Sequence, residues 1–145
     1  MERIYFKIEI EASKEKVWDI LLGENTYPKW TAPFAEGSSA VTDWQVGSKA
    51  LFVNAEGDGM ISKIVEHVPN EYISIHHLGM YINGVEDYES EEVKKWNGAQ
   101  ENYKISVKDG KSLLSVELDT VEEHKSYFEE TWPIALEKVK ELAEG

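Results

Sequence analysis

His77 and Glu101 are the two residues of this chain whose types and placement best suit chemistry. Each falls on the apolar side of a segment that alternates like a β-strand: His77 shares parity with Ile73 and Ile75, and Glu101 with Tyr103 and Ile105. An imidazole and a carboxylate turned toward a core are costly unless paired, solvated or in use. Set face to face at the mouth of a cavity, they could hydrogen-bond a ligand or pass a proton. The plain alternative is a structural pair that satisfies itself.

Around them the sequence supplies aromatic rings. Trp30, Phe34, Trp96, Phe128 and Trp132, with Tyr103 beside Glu101, are the candidate lining of a ligand site, against the alternative that they fill the core. Other chemistries find no support. His67, His76, His77 and His124 show no metal-ligand spacing, and His67 and His76 are expected at solvent or a sheet edge. The carboxylates are many, yet no loop alternates oxygen ligands with a glycine as a calcium site requires. With no cysteine there is no disulfide, zinc finger or iron–sulfur centre. Neither a Gly-x-Ser-x-Gly elbow nor a glycine-rich phosphate loop occurs. No metal and no cofactor is expected.

The elements that must position these side chains are legible in order. Ile4, Phe6, Ile8 and Ile10 alternate with polar partners and predict a first strand. Ser13 caps a short helix over 14–22 whose Val17, Ile20 and Leu21 share a face. Gly23, Asn25 and Pro28 break the chain before an aromatic connection, Trp30 to Phe34, that has room for one helical turn. Strands follow over 38–44, 49–56 and 60–68, the last two joined at Gly57-Asp58-Gly59, and another begins at Tyr72. Which face of Leu51, Phe52 and Val53 is buried stays open.

Residues 79–98 form an acidic excursion bearing Glu86, Asp87, Glu89, Glu91 and Glu92 against Lys94 and Lys95. It reads as a mobile lid, with a solvated hairpin tip as the alternative. The clearest hairpin turns at Asp109-Gly110. A two-residue turn there pairs Val107 with Ser112, Ile105 with Leu114, Tyr103 with Val116 and Glu101 with Leu118, so the apolar faces coincide. Gln100, Asn102, Lys104 and Ser106 are then expected to face water.

The last stretch organises the rest. From about Val121 to Glu144, Phe128, Thr131, Trp132, Ala135, Leu136, Val139, Leu142 and Ala143 form one helical stripe opposite an arc of Glu and Lys. Thr120 and Glu123 have capping-box spacing. Pro133 lies on the polar arc, where a kink is expected. The order of elements predicts an α+β fold: an antiparallel sheet curled around the C-terminal helix, with an incompletely filled gap between them.

Composition sets limits. At 145 residues and 41% hydrophobic content the chain is sized for one domain over 1–145. A net charge of −13 repels nucleic acid and anionic membrane. No apolar run reaches the ~20 residues of a membrane span, and the opening Met1-Glu2-Arg3-Ile4 lacks a signal-peptide profile, so a cytoplasmic location is expected.

Taken together, Val17-Trp18-Asp19, Pro28-Lys29-Trp30, Val46-Gly47-Ser48, Val68-Pro69-Asn70-Glu71, Trp96 with Glu101-Asn102-Tyr103, and Thr131-Trp132-Pro133 with Ala135-Leu136 form an ordered pattern. The chain resembles the SRPBCC superfamily (START, Bet v, polyketide cyclase). Within it, the chain resembles bacterial proteins related to the C-terminal domain of the heat-shock-protein-90 ATPase activator. That resemblance runs end to end and implies a helix-grip: a seven-stranded antiparallel sheet bent around the C-terminal helix, enclosing a cavity for lipids, hormones or polyketides in different members. It implies no shared catalytic set. The eukaryotic activator carries a separate domain ahead of this one, whereas this sequence opens on the first strand, which places chaperone activation behind ligand binding. The expected partner is thus a small apolar or amphipathic ligand. The alternatives are a cyclase- or lyase-like enzyme using the same cavity and a chaperone-interaction module.

Overall fold

A computed structural model describes residues 1–145. In chain order the elements are β1 (Glu2–Ile10), α1 (Lys14–Leu22), α2 (Tyr27–Trp30), β2 (Ser39–Val41), β3 (Lys49–Val53), β4 (Gly59–Val68), β5 (Tyr72–Ile82), β6 (Val85–Asp87), α3 (Glu91–Trp96), β7 (Gln100–Lys108), β8 (Lys111–Thr120) and α4 (Glu122–Glu144). The antiparallel sheet runs β1-β8-β7-β5-β4-β3-β2, with short β6 paired to β5 off that path. This is the expected α+β helix-grip: seven strands along the path, and one long helix held by the sheet.

Local chemistry explains the best-defined pieces. Ser13 accepts a hydrogen bond from the Lys16 amide at 3.2 Å, and α1 starts beside it. At the β7–β8 turn Asp109 and Gly110 both take positive φ, 53° and 78°, as a tight hairpin of matching twist requires. The resulting register is the one the faces dictate: Glu101 opposite Leu118, Tyr103 opposite Val116, Ile105 opposite Leu114 and Val107 opposite Ser112. Along α4, Thr131, Trp132, Ala135, Leu136, Val139 and Ala143 are buried, Phe128 and Leu142 are half-buried, and Pro133 faces solvent. The helix packs on β1, α1 and α2.

Several expectations change. Thr120 and Glu123 do not cap α4: Val121 is the N-cap residue without a side-chain bond, and the Thr120 hydroxyl donates to the Val121 carbonyl. Thr120 is instead the last residue of β8, with Glu2 as its partner on β1, and that pairing fixes its backbone as extended. Strand β3 ends at Val53, not Glu56, because the Asn54 side chain captures the amides of Glu56 and Asp58 at 3.0 and 3.1 Å and curls the chain into a turn.

The acidic excursion is not an open loop. Strand β5 runs on to Ile82, turns through Asn83 and Gly84 at positive φ, and returns as β6. Ser90 then caps α3, which buries Val93 and Trp96 with Ala99 in a satellite cluster against Met60, Met80 and Val121. Asn102, expected to face water, is 2% exposed. It does lie on the outer face, but Ser74 donates to its oxygen at 2.6 Å while its amide reaches Glu117 at 3.0 Å and Gln100 at 3.3 Å. Neighbouring polar chains cover it.

Candidate functional site

Strands β5 and β7 bring the first pair together. Ile75 lies opposite Glu101 and Ile73 opposite Tyr103; the His77 amide, just beyond, donates to the Ala99 carbonyl at 2.8 Å. The β4–β5 register slips between Ile61 and Ser62, leaving Leu78 unpaired, and this bulge sits immediately beside His77. His77 Nε2 stands 3.1 Å from Glu101 Oε1, and His77 Nδ1 stands 2.7 Å from the Ser62 hydroxyl. The Tyr103 hydroxyl donates to the other Glu101 oxygen.

A serine, a histidine and a carboxylate in a row invite a hydrolase reading, and burial rejects it. Ser62 is 0% exposed and belongs to the sheet behind His77, so its oxygen has no route to a substrate. Its hydroxyl serves the imidazole, accepting or donating as Nδ1 requires. Burial by itself pushes the Glu101 carboxyl up. The hydrogen bond and charge of His77, with the Tyr103 hydrogen bond, outweigh it and hold the group below the ordinary carboxylate range. Burial, and next the Glu101 charge, raise the hydroxyls of Tyr103 and Tyr27, which keep their protons. The site therefore presents a carboxylate flanked by neutral phenols.

That depressed pKa has a measurable consequence. A carboxylate more acidic in the folded than in the unfolded chain contributes stability that is complete above its unfolded pKa and disappears as pH falls through the folded value. Glu101→Gln, which cannot titrate, should therefore flatten the acid limb of the stability curve from about pH 5 downward. Urea melts at stepped pH would show it. Parallel acid limbs in the two proteins would mean that Glu101 titrates alike folded and unfolded.

Between the sheet and the N-terminal half of α4 lies a recess of about 590 Å³. Its walls come from five directions. Tyr27, Trp30, Thr31 and Phe34 reach it from α2 and the segment after it, Phe52 and Met60 from β3 and β4, and His77, Met80, Glu101 and Tyr103 from β5 and β7. Trp96 and Glu92 come from α3, and His124, Tyr127, Phe128 and Trp132 from α4. All eight residues singled out in the sequence thus border one space: Trp30, Phe34, His77, Trp96, Glu101, Tyr103, Phe128 and Trp132. Trp132 is its hub, with ring centroids of Phe34, Trp30 and Tyr103 at 5.0, 6.0 and 6.0 Å. The Trp132 indole N–H is buried without a hydrogen-bond partner among these rings.

Sequence reasoning missed Tyr27, Phe52, Met60, Met80, Tyr127 and His124. Phe52 was undecided because apolar residues stand on both faces of its strand. The others carried no periodic signal. His67 was misplaced: its Nε2 accepts from the Trp18 indole at 3.1 Å, and its Nδ1 lies 2.9 Å from the Trp44 carbonyl, so it ties α1 to the segment between β2 and β3. At the recess mouth, exposed Glu92, Glu123 and His124 bring their ligand atoms within 4.8 Å of one another. The Lys95 ammonium already sits 3.4 Å from both carboxylates and bridges them.

No family model matches the chain, and no curated protein matches it. Among solved structures it is similar to the Aha1 dimer from Colwellia psychrerythraea, with a TM-score of 0.76 at 18% identity over 99% of this chain and 97% of that one. It is similar also to CalU16 from Micromonospora echinospora, with a TM-score of 0.68 at 16% identity over 97% and 75%. A third likeness is to DynU16 of the dynemicin biosynthetic locus, 0.72 at 10% over 97% of this chain and 46% of that one. The likeness shows the fold alone, a curved antiparallel sheet gripping a long C-terminal helix. No helix is long and apolar enough to cross a membrane.

Proposed function

We propose that residues 1–145 form one SRPBCC domain that binds a small apolar or amphipathic molecule in the recess between the sheet and α4. The observation supporting this reading is the recess itself: about 590 Å³, bordered by nine Trp, Tyr and Phe side chains among other apolar residues, with polar groups meeting at Glu101 and His77. Pockets for small molecules have that size and that balance of surface. Core filling alone accounts for the rings but not for the space left between them. The cyclase- or lyase-like reading would gain from a buried carboxyl of raised pKa in the recess, and Glu101 is held below its ordinary range instead. The chaperone-activator reading rests on the likeness to the Aha1 structure, which at 18% identity carries the fold alone.

The neutral fluorophore N-phenylnaphthylamine tests the binding reading. Its emission should rise saturably, with a dissociation constant in the micromolar range, about −8 kcal/mol. Phe128→Ala removes a half-buried ring of the lining and should weaken it about five- to tenfold with little change in folding. A linear, unsaturable rise, or equal affinity in the variant, would place the probe elsewhere. Native mass spectrometry of protein purified from its own host would then identify any natural ligand carried along.

A further inference from the structure

The lining of the recess has a sign. Asp58, Glu92, Glu101 and Asp119 border it, and no lysine or arginine does. Asp119 is paired from outside with Arg3, whose Nε lies 2.9 Å away, Glu92 shares Lys95 at 3.4 Å with Glu123, and half-buried Asp58 accepts the Asn83 amide at 2.9 Å. Glu101 is different. Its side chain is only 23% exposed, and the one group near it able to carry positive charge is His77. An imidazole can discharge by losing its proton, which a guanidinium cannot do, and Ser62 satisfies Nδ1 in either state. The carboxylate can therefore be released to a ligand without stranding its partner.

From this we infer, resting on the binding reading above, that the ligand is an organic cation: a protonated amine or related nitrogen base on an apolar or aromatic body. Each Glu101 oxygen accepts one hydrogen bond from the protein, Oε1 from His77 and Oε2 from Tyr103, and keeps a lone pair free for an N–H of the ligand. Trp30, Tyr27 and Phe52 line the same space, aromatic rings attract positive charge over their faces, and Tyr27 lies close enough to Glu101 to feel its charge. Fatty acids and other carboxylates meet the acidic side chains of the lining, with no lysine or arginine on the walls to receive them. The net charge of −13 draws cations toward the protein at long range.

A matched series separates charge from shape. Naphthylmethylamine, naphthylmethanol and naphthoate offer one ring system as cation, neutral molecule and anion, and calorimetric titration at neutral pH gives their affinities for the intact protein. The amine should bind about tenfold tighter than the alcohol, and naphthoate most weakly. Glu101→Gln should close the gap between amine and alcohol. Equal binding of all three, or a preference for naphthoate, would overturn the cation inference while leaving the recess as a ligand site. Binding of none would overturn both. The comparison on the unaltered protein decides even if Glu101→Gln folds poorly.

Discussion

Val139→Asp should remove about 3–5 kcal/mol of folding stability, which at a urea slope of about 2 kcal/mol/M moves the midpoint by roughly 2 M. Val139 is 0% exposed in the middle of the α4 stripe, in the main core cluster with Leu136, Ala143 and Val17. A carboxylate there would be desolvated without a partner, and the core would lose the packing of the valine as well. Its helical neighbour is the informative contrast. From the sequence alone Lys140 looks freely replaceable, but it bonds Glu144, whose carboxylate also accepts the Glu11 amide at 2.8 Å. Lys140→Asp exchanges an attractive i, i+4 pair for a repulsive one and should cost about 0.5–1 kcal/mol. Exposed Glu141→Gln should be silent. Equal losses at 139 and 141 would mean that the buried stripe is wrongly assigned.

The second large effect comes from a glycine. Gly59 opens β4 opposite Val53, and a Cβ built on it would lie 1.8 Å from the Phe52 carbonyl oxygen and 2.8 Å from the Val53 Cα. These are backbone atoms, so no rotamer change relieves the overlap; the β3–β4 hairpin must part or shift register. Gly59→Ala should cost about 2–4 kcal/mol. Phe52 and Met60 flank that contact and line the recess, so probe binding should weaken in the molecules that still fold. Gly57, in the same loop, has φ of 83° and nothing within 4 Å of its would-be Cβ. Gly57→Ala meets only the left-handed backbone penalty, about 1 kcal/mol. Thermal and urea melts of the two variants compare a steric clash with a conformational preference; a milder effect at 59 than at 57 would contradict the close approach.

The strand of Ile4 to Ile10, the Ser13 cap, the Asp109-Gly110 hairpin and the α4 stripe were fixed by the sequence because each depends on neighbours within a few positions. Period and turn chemistry act locally, and once the turn is known the register of a two-residue hairpin leaves no choice. The same parity carried Glu101 and His77 to the inner face, so the centre of the candidate site was legible before any contact was known. Tertiary structure decided the rest. Asn102 points outward as parity requires and is buried all the same, because Ser74 and Glu117 from adjacent strands close over it. His67 gained Trp18 and the Trp44 carbonyl from remote segments. Residues 79–98 look solvated by composition, yet Val93 and Trp96 anchor them from one face of a six-residue helix too short for its periodicity to stand out. Above all, the recess is a volume left between surfaces that the chain supplies from five directions, and no local pattern encodes a distance between elements that meet only when the fold closes.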